Sequence, residues 1–549
     1  MEIFLINHAD DLSWIRENYG INAEVIAHED YIKLLVDEDI PCIFTNYLEE
    51  IGDGVNYITF NWHRDVEGND LSKVQNFSIA EVLSVGLWPS ISSVCREYFA
   101  VKRLLESYDF VHISINEPKD FREITQKFGD KIKIFDPNHR NSYPLISFNE
   151  RHNFPSLINW KFKVIRRLQT FLIPFLQKRT VALADWTYKK IAPERNWLLI
   201  NSRKIWQGAY LSEKKDIDLN SAYVCNLEDL TNWSNVNNLS SVLMRKSIHW
   251  DNNLLELLSL KIEDRYRKYK EYFREVVGAY QEFIDKYNPV ELILPADLYE
   301  PHNIAGQLAK TKGIKVSLLA DGFPVVEIKK IIGSKATYYE MVDRIYATGC
   351  HHSVRLKKDF GDTKDIVTIK PHIANFHSIA IQNIEEFDCI VMTYIPLDYN
   401  PLGRNGYRPV IVLDLVYLLN SLGIFRIAIK IKSNEEKEWL KLILEKNNLF
   451  DSVEIIEGRF HDHVKRTRFV IGGISSAIGE SAFQSIPYYV YEPIENGYGS
   501  ELIYTSNIIK ENSIARTLDE LRELLKCPDG SVINDRDLLF GTNCERFEN

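Results

Sequence analysis

Hydrophobic positions in the first 150 residues come in short runs, at 3–6, 42–45, 57–60, 110–114 and 132–135. Between them lie stretches with apolar residues three and four apart, such as 101–107 and 120–128. A strand-length run followed by helical spacing, repeated, predicts parallel βαβ units. From 254 to 287 the pattern changes. Ile262, Tyr266, Tyr269, Phe273, Val276, Tyr280, Phe283 and Tyr287 follow alternating steps of four and three. That is a heptad seam, aromatic where a simple coiled coil uses Leu. Packing against its own domain is the first reading of the seam, and a homodimer contact the second. Pro289 ends this helix, because proline lacks the N–H that would continue it.

A clean βαβ unit follows, with a strand over 290–294, a loop over 295–302, a helix over 303–312 and a strand over 316–319. A second α/β series starts near 387. Strands are predicted at 389–393, 425–432 and 453–456, with helices at 410–422 and 461–467. A buried strand, a small-residue turn, a helix and another buried strand then occupy 469–492. A last helix, 517–525, is expected to return toward the first domain. The fold class is therefore α/β, in two units. Residues 1–380 form the N-terminal domain, with a long helical insertion at about 152–287. Residues 387–510 form the C-terminal domain, and 511–549 a helix and tail.

Length agrees, since 549 residues exceed what one hydrophobic core fills. Hydrophobic residues at 45% and charged residues at 26% describe a globular chain. The net charge of −11 argues against nucleic acid as a partner, which would need a basic surface. Seven cysteines are scattered without a CxxC pair, so neither a disulfide framework nor a zinc site is indicated, and a reducing compartment fits. Residues 1–7 read as a strand and not as a signal peptide, and no apolar run approaches the roughly 20 residues of a spanning helix. The expected location is cytoplasmic. One segment qualifies it: residues 160–179 combine large apolar side chains with six basic and no acidic ones. Such a stretch suits peripheral contact with an anionic membrane on its inner face. The other reading is a core helix with a basic rim, bent at Pro174.

The chemistry concentrates in Phe469-Val-Ile-Gly-Gly-Ile-Ser-Ser-Ala-Ile-Gly-Glu480. Gly472 and Gly473 allow a tight turn. Ser475 and Ser476 place hydroxyls beside the unpaired N–H groups of a helix N-terminus, which suits a phosphate. Glu480, one turn on, comes within reach of a sugar on that phosphate. An ordinary N-capped helix is the plainer reading of the same residues. Lys430, Lys432 and Arg404 lie at strand ends of the same half, where a cation offsets phosphate charge. In the N-terminal half, Asp297, Glu300, His302 and Asp321 lie at or just past strand ends. Asp321 is the first candidate for a catalytic carboxylate and Asp297 the second, although Asp321-Gly322 is also a common turn pair. Three weaker patterns remain. Asp37-Glu-Asp39 and Asp535-Arg-Asp537 read as solvated triplets, and His461 and His463 point to different faces of a helix. No metal is expected, and no cofactor.

Two such halves, with Gly473-Ile-Ser-Ser, Glu480 and Pro487 late in the second, resemble GT-B glycosyltransferases, mainly over 388–493. The Ser pair is similar to that of bacterial sialyltransferases and capsule Kdo-transferases, which use CMP-sugars. Asp321-Gly322 is similar to the acidic motif of those sialyltransferases, and 296–300 to a short acidic motif of β-Kdo transferases. The resemblance implies two Rossmann-like domains facing a cleft, a nucleotide-sugar donor on the C-terminal half and a glycan or lipid-linked acceptor on the N-terminal half. The nucleotide-sugar is then a substrate, and the product a surface polysaccharide of capsule or lipopolysaccharide type. One departure concerns the donor. Those groups carry His-Pro after the second strand of the C-terminal half, and here the chain reads Lys430-Ile-Lys-Ser433. A sugar-nucleotide epimerase of the same fold, or a non-catalytic nucleotide- or glycan-binding protein, are the rival readings.

Overall fold

The computed structural model describes residues 1–137 apart from breaks at 29, 37, 43–47, 66, 75–76 and 117–118. It further describes strand segments between 180 and 210, residues 250–265 with 277, 281 and 284, 291–294, 300–318, 326–328, 341–369, 386–393, 409–431, 434–491 apart from 474, 502–504, 514–526 and 541. Three mainly parallel sheets carry the fold.

The first sheet holds β1 (Glu2–Ile6), β2 (Val25–Ala27), β3 (Phe110–Ser114) and β4 (Ile132–Phe135). Their order is β2-β1-β3-β4, all parallel. Helices α1 (Ala9–Tyr19), α2 (Leu48–Asn61), α3 (Ile79–Ser107) and α4 (Lys119–Gln126) connect or flank them. The run at 57–60, expected as a strand, lies inside α2. Val55, Ile58, Thr59 and Trp62 are buried, and spacings of three and four put them on one helical face. Of the run at 42–45, Cys42 bridges to Ala27 and the remainder lies outside the described residues.

The second sheet is built on β5 (Glu291–Leu294), β6 (Lys315–Leu318), β7 (Arg344–Thr348) and β8 (Asp365–Ile369), in order β8-β7-β6-β5 and parallel. Helix α5 (Glu300–Thr311) crosses between β5 and β6, and α6 (Gly349–Phe360) between β7 and β8. The predicted βαβ unit at 290–319 is therefore present. The strand Ile205–Tyr210 pairs antiparallel with β5, and Thr180–Ala182 and Asn196–Trp197 extend the sheet. The insertion expected to be helical thus contributes strands. Its β-branched and aromatic residues, such as Ile205, Trp206 and Tyr210, suit a pleated surface. One core joins α2, α3 and the helical 254–262 stretch to the second sheet, with Leu254, Leu258 and Ile262 buried beside Leu292, Val316 and Ile345. At Ile262 the seam packs on its own chain; its other seven positions lie outside the described residues.

The third sheet has six strands: β9 (Phe387–Met392), β10 (Ile427–Lys430), β11 (Val453–Ile456), β12 (Thr467–Gly472), β13 (Tyr488–Tyr491) and β14 (Ile514–Ala515). Their order is β11-β10-β9-β12-β13-β14, all parallel. In chain order that is 3-2-1-4-5-6, the doubly wound arrangement. Alternate residues feed two cores. Cys389, Val391, Ile427, Ile429, Ile471 and Tyr489 meet α7 (Pro409–Ser421) and α8 (Asn434–Lys446). Ile390, Ala428, Val470, Tyr488 and Val490 meet α9 (Ala477–Phe483) and Cys350 of α6. Helix α10 (Leu518–Leu525) buries Leu521 in the first of these cores. It therefore covers the third sheet, where the sequence had it returning to the N-terminal domain. Leu35, from the N-terminal part, lies in the same core. A two-stranded antiparallel ribbon, Val326–Ile328 with Leu502–Tyr504, ties a segment after β6 to one after β13.

Candidate functional site

In the third sheet the chain runs from β9 outward through β10 and β11, then crosses back to β12 on the other side of β9. The carboxyl ends of β9 and β12 thus flank a topological switch point, where doubly wound sheets open a ligand crevice. Thr393 follows β9, and its N–H and Oγ1 donate to the Lys430 carbonyl at 3.0 and 3.2 Å. That pins the ends of β9 and β10 together. Gly472 ends β12 in close quarters. A Cβ there would come within 2.7 Å of Met392 Cβ on β9 and 2.7 Å of the Tyr488 hydroxyl on β13. The Tyr488 hydroxyl donates to the Gly473 carbonyl at 2.7 Å, which fixes the turn.

Ser475 and Ser476 follow, the first half-buried and the second exposed. The Ala477 N–H donates to Ser475 Oγ at 3.3 Å, and the Ile478 and Gly479 N–H groups to the Ser475 and Ser476 carbonyls, both at 3.1 Å. Helix α9 is short, and Ser476 makes no capping bond with its side chain. Glu480 lies on its first turn. Burial pushes its carboxyl up to about 7, with the Asp462 charge raising it further and Lys430 opposing. Its Oε2 is buried, with no hydrogen-bond partner among the described residues. Lys430 ends β10, is itself buried, and its ammonium donates to the Ile431 carbonyl.

Gly473, Ser475, Ser476, Glu480 and Lys430 therefore all lie at the carboxyl end of the third sheet or just past it. Lys432 and Arg404 lie outside the described residues, as do Asp297 and Asp321. Glu300 and His302 form the first turn of α5, just past the carboxyl end of β5. Strands β5 and β6 end three residues before Asp297 and Asp321 respectively. His463 has both ring nitrogens engaged, by the Glu457 carbonyl at 2.6 Å and by Arg466 at 3.1 Å, and His461 lies 3.0 Å from Asp462. Among the described residues, no group of three or more His, Cys, Asp or Glu side chains is arranged to hold a metal. Among them, too, no helix is long and apolar enough to cross a membrane. The basic 160–179 segment lies outside them.

One strand end escaped the reading of the sequence. After β7 the chain reads Thr348-Gly-Cys-His-His-Ser353, and all six residues are buried. Gly349 has φ +79°, a left-handed turn that glycine adopts without strain. His352 Nδ1 accepts the Thr348 N–H at 3.2 Å, and burial, with the neighbouring His351, pushes its pKa down to about 3. The available signal was a short run, Arg344-Ile-Tyr-Ala-Thr348, closed by a glycine and polar residues, which the sequence reading did not take as a strand.

No protein-family model matches the sequence, and no curated protein matches it. Solved structures with partial similarity exist. A UDP-GlcNAc 2-epimerase from Neisseria meningitidis bound to UDP-GlcNAc aligns over 49% of this chain and 78% of its own, at 11% identity and a TM-score of 0.35. A Thermobaculum terrenum O-GlcNAc transferase mutant aligns over 47% and 48%, at 10% identity and a TM-score of 0.26. The lipopolysaccharide outer core galactosyltransferase WaaB, in its apo form, aligns over 51% and 77%, at 12% identity and a TM-score of 0.28. Scores of this size carry no activity across to the chain.

Proposed function

We propose that the chain is a metal-independent glycosyltransferase of GT-B type, which binds a nucleotide-sugar at the switch point of its third sheet. The observation that carries this reading is the doubly wound 3-2-1-4-5-6 order, with the pinched Gly472–Gly473 turn and two serines at its crevice. Glycosyl transfer needs a cradle for the negative charge that develops on the leaving nucleotide. Backbone N–H groups of the turn, Ser475, Ser476, Lys432 and Arg404 supply it in this reading, with Glu480 toward the ribose. A carboxylate then takes the proton of the acceptor hydroxyl as that oxygen bonds to the anomeric carbon. Asp321 is the first choice for that role and Asp297 the second, each three residues past a parallel strand of the second sheet. The favoured donor is a CMP-activated acidic sugar, from the paired serines. The favoured acceptor is a surface glycan, reached from the cytoplasmic side with 160–179 on the membrane. No cofactor enters the scheme.

The test is a thermal-shift panel of CMP, UDP, GDP and dTDP, followed by calorimetry with the nucleotide that stabilises most. Ser476→Ala with Lys432→Ala should lose roughly 2–4 kcal/mol of affinity, the sum of two charge-assisted contacts. Unchanged affinity removes this site. Conversion of the donor sugar without any acceptor would replace transfer by epimerisation.

A further inference from the structure

The third sheet is held from both of its faces. Its alternate residues feed two cores, and each core takes in side chains from the unit of another sheet. On one face, Leu35 is 7% exposed in the core shared with α7, α8 and α10, and Ala9 and Leu34 pack against that core. These three residues belong to connections of the first sheet. Ile32 and Val36 of the same segment, with Leu12 and Ile15 of α1, enter the first sheet's own core beside Phe4, Ile6 and Val25. On the opposite face, Cys350 is fully buried in the core of Ile390, Val470 and Ile478, and Val354 packs against it. Both lie on α6, the helix between β7 and β8 of the second sheet. Four residues apart, they share one face of that helix. Leu356 and Phe360, on another face, join the second sheet's core with Ile345 and Ile366. Two hydrogen bonds root α6 on its own sheet. The Thr348 N–H donates to His352 Nδ1 at 3.2 Å, and the Thr368 hydroxyl of β8 donates to Ser353 Oγ at 2.8 Å. The ribbon of Val326–Ile328 with Leu502–Tyr504 adds a backbone tie between the second and third units.

Units of one chain rotate against each other unless the contact between them is large and apolar. Here the contact is apolar and lies on two opposite faces. Turning the third sheet away from one neighbour drives it into the other. Rotation therefore empties one core contact and overpacks the other, and packed cores do not deform continuously. We propose that the third sheet is a clamped wall, with α6 and the 32–36 segment as its two jaws. It neither rotates against the other sheets nor opens apart from them, and its crevice takes a ligand with all three sheets already in place. The clamp holds whichever ligand the crevice takes, so it stands independently of the nucleotide reading.

A clamped sheet shares its stability with the rest of the chain. The test is native-state amide exchange on the full chain. Leu440→Ala removes a fully buried side chain of α8, inside the third unit. The slowest amides of β1, β6 and β9 should then all exchange faster by the same factor, on the order of 10²-fold. If only β9 speeds up, the third sheet opens alone and the inference falls. Adding Leu35→Asp and Cys350→Asp puts a carboxylate into each jaw contact. In that chain β9 should exchange roughly tenfold or more faster than β1 and β6. If the three stay locked together, these contacts are not the clamp and the inference falls. The Leu440→Ala comparison needs neither jaw variant, so it decides even where the charged variant does not fold. X-ray scattering with and without CMP-N-acetylneuraminate or UDP-glucose reads the rotation directly. Contraction of the chain with either overturns the inference. Superposable curves, at a concentration that raises the melting temperature, support it.

Discussion

Gly472 shows how much one residue decides at this site. It is flanked by Met392 and Tyr488 at distances no side chain tolerates, and Tyr488 then holds the next carbonyl. Gly472→Ala forces β9 or β13 to shift. The expected loss is about 1–3 kcal/mol of stability from overpacking. It should come with a roughly tenfold loss of nucleotide affinity, because the turn N–H groups move with the strand. A melting curve and a titration on the same sample check both. The residue types were legible here: paired glycines after an apolar run, then serines, mark a strand–turn–helix junction in any α/β chain. What the sequence did not reveal was the environment. Lys430 looked like a free ammonium for phosphate and proves to be buried, bonded to the Ile431 carbonyl. Burial depends on which face of β10 the side chain leaves from, and a four-residue strand read alone leaves that open.

Whole elements were read more reliably where two signals agreed. The third sheet's strands each combine an apolar run with a helix-length gap, and all were foreseen except β14, which is two residues long. The run at 57–60, Tyr-Ile-Thr-Phe, failed because it is only four residues long and largely apolar, so a buried helix turn and a short strand give the same string. The strands within 180–210 were missed because they are short and join the sheet through the long-range pairing of Ile205–Tyr210 with β5, to which Thr180–Ala182 then adds. Helix α10 was foreseen in extent but not in place, since capping is local and docking is not. Its N-terminus carries a full capping box, with Thr517 Oγ1 accepting the Glu520 N–H at 3.2 Å and the Glu520 carboxylate accepting the Thr517 N–H at 3.3 Å. Because α10 buries Leu521 against the third sheet, the cap supports that whole unit. Thr517→Ala should cost about 1 kcal/mol, and Thr517→Ser much less, in thermal or denaturant unfolding. Equal losses for the two would mean that the methyl group, and not the hydroxyl, matters.

At the scale of the molecule, three buried ionisable groups and the half-buried Glu480 set opposing pH dependences. Desolvation pushes Asp11, on α1, and Glu480, on α9, up to about 7. It pushes His28, after β2, and His352, on α6, down to about 3. In the unfolded chain these carboxyls titrate near 4 and imidazoles near 6.5. A carboxyl raised on folding binds its proton more tightly in the native state, so stability is lost as pH climbs from about 4 to about 7. A histidine lowered on folding does the reverse. The unfolded chain binds the proton below about 6.5, and stability is lost as pH falls. Each slope is about 1.4 kcal/mol per pH unit, so two of each nearly cancel between about pH 4.5 and 6.5. The carboxyls sit on helices that flank different sheets and should act additively. Asp11→Asn combined with Glu480→Gln should therefore melt higher than the wild type at about pH 8, where both native carboxylates are ionised at a cost. That advantage should shrink steadily toward about pH 4.5, leaving the variant's curve falling steeply on acidification as His28 and His352 are drawn toward protonation. Thermal melts of both chains at several pH values decide it. A gap between them that stays constant with pH would mean that neither carboxyl holds a proton in the folded protein near neutrality.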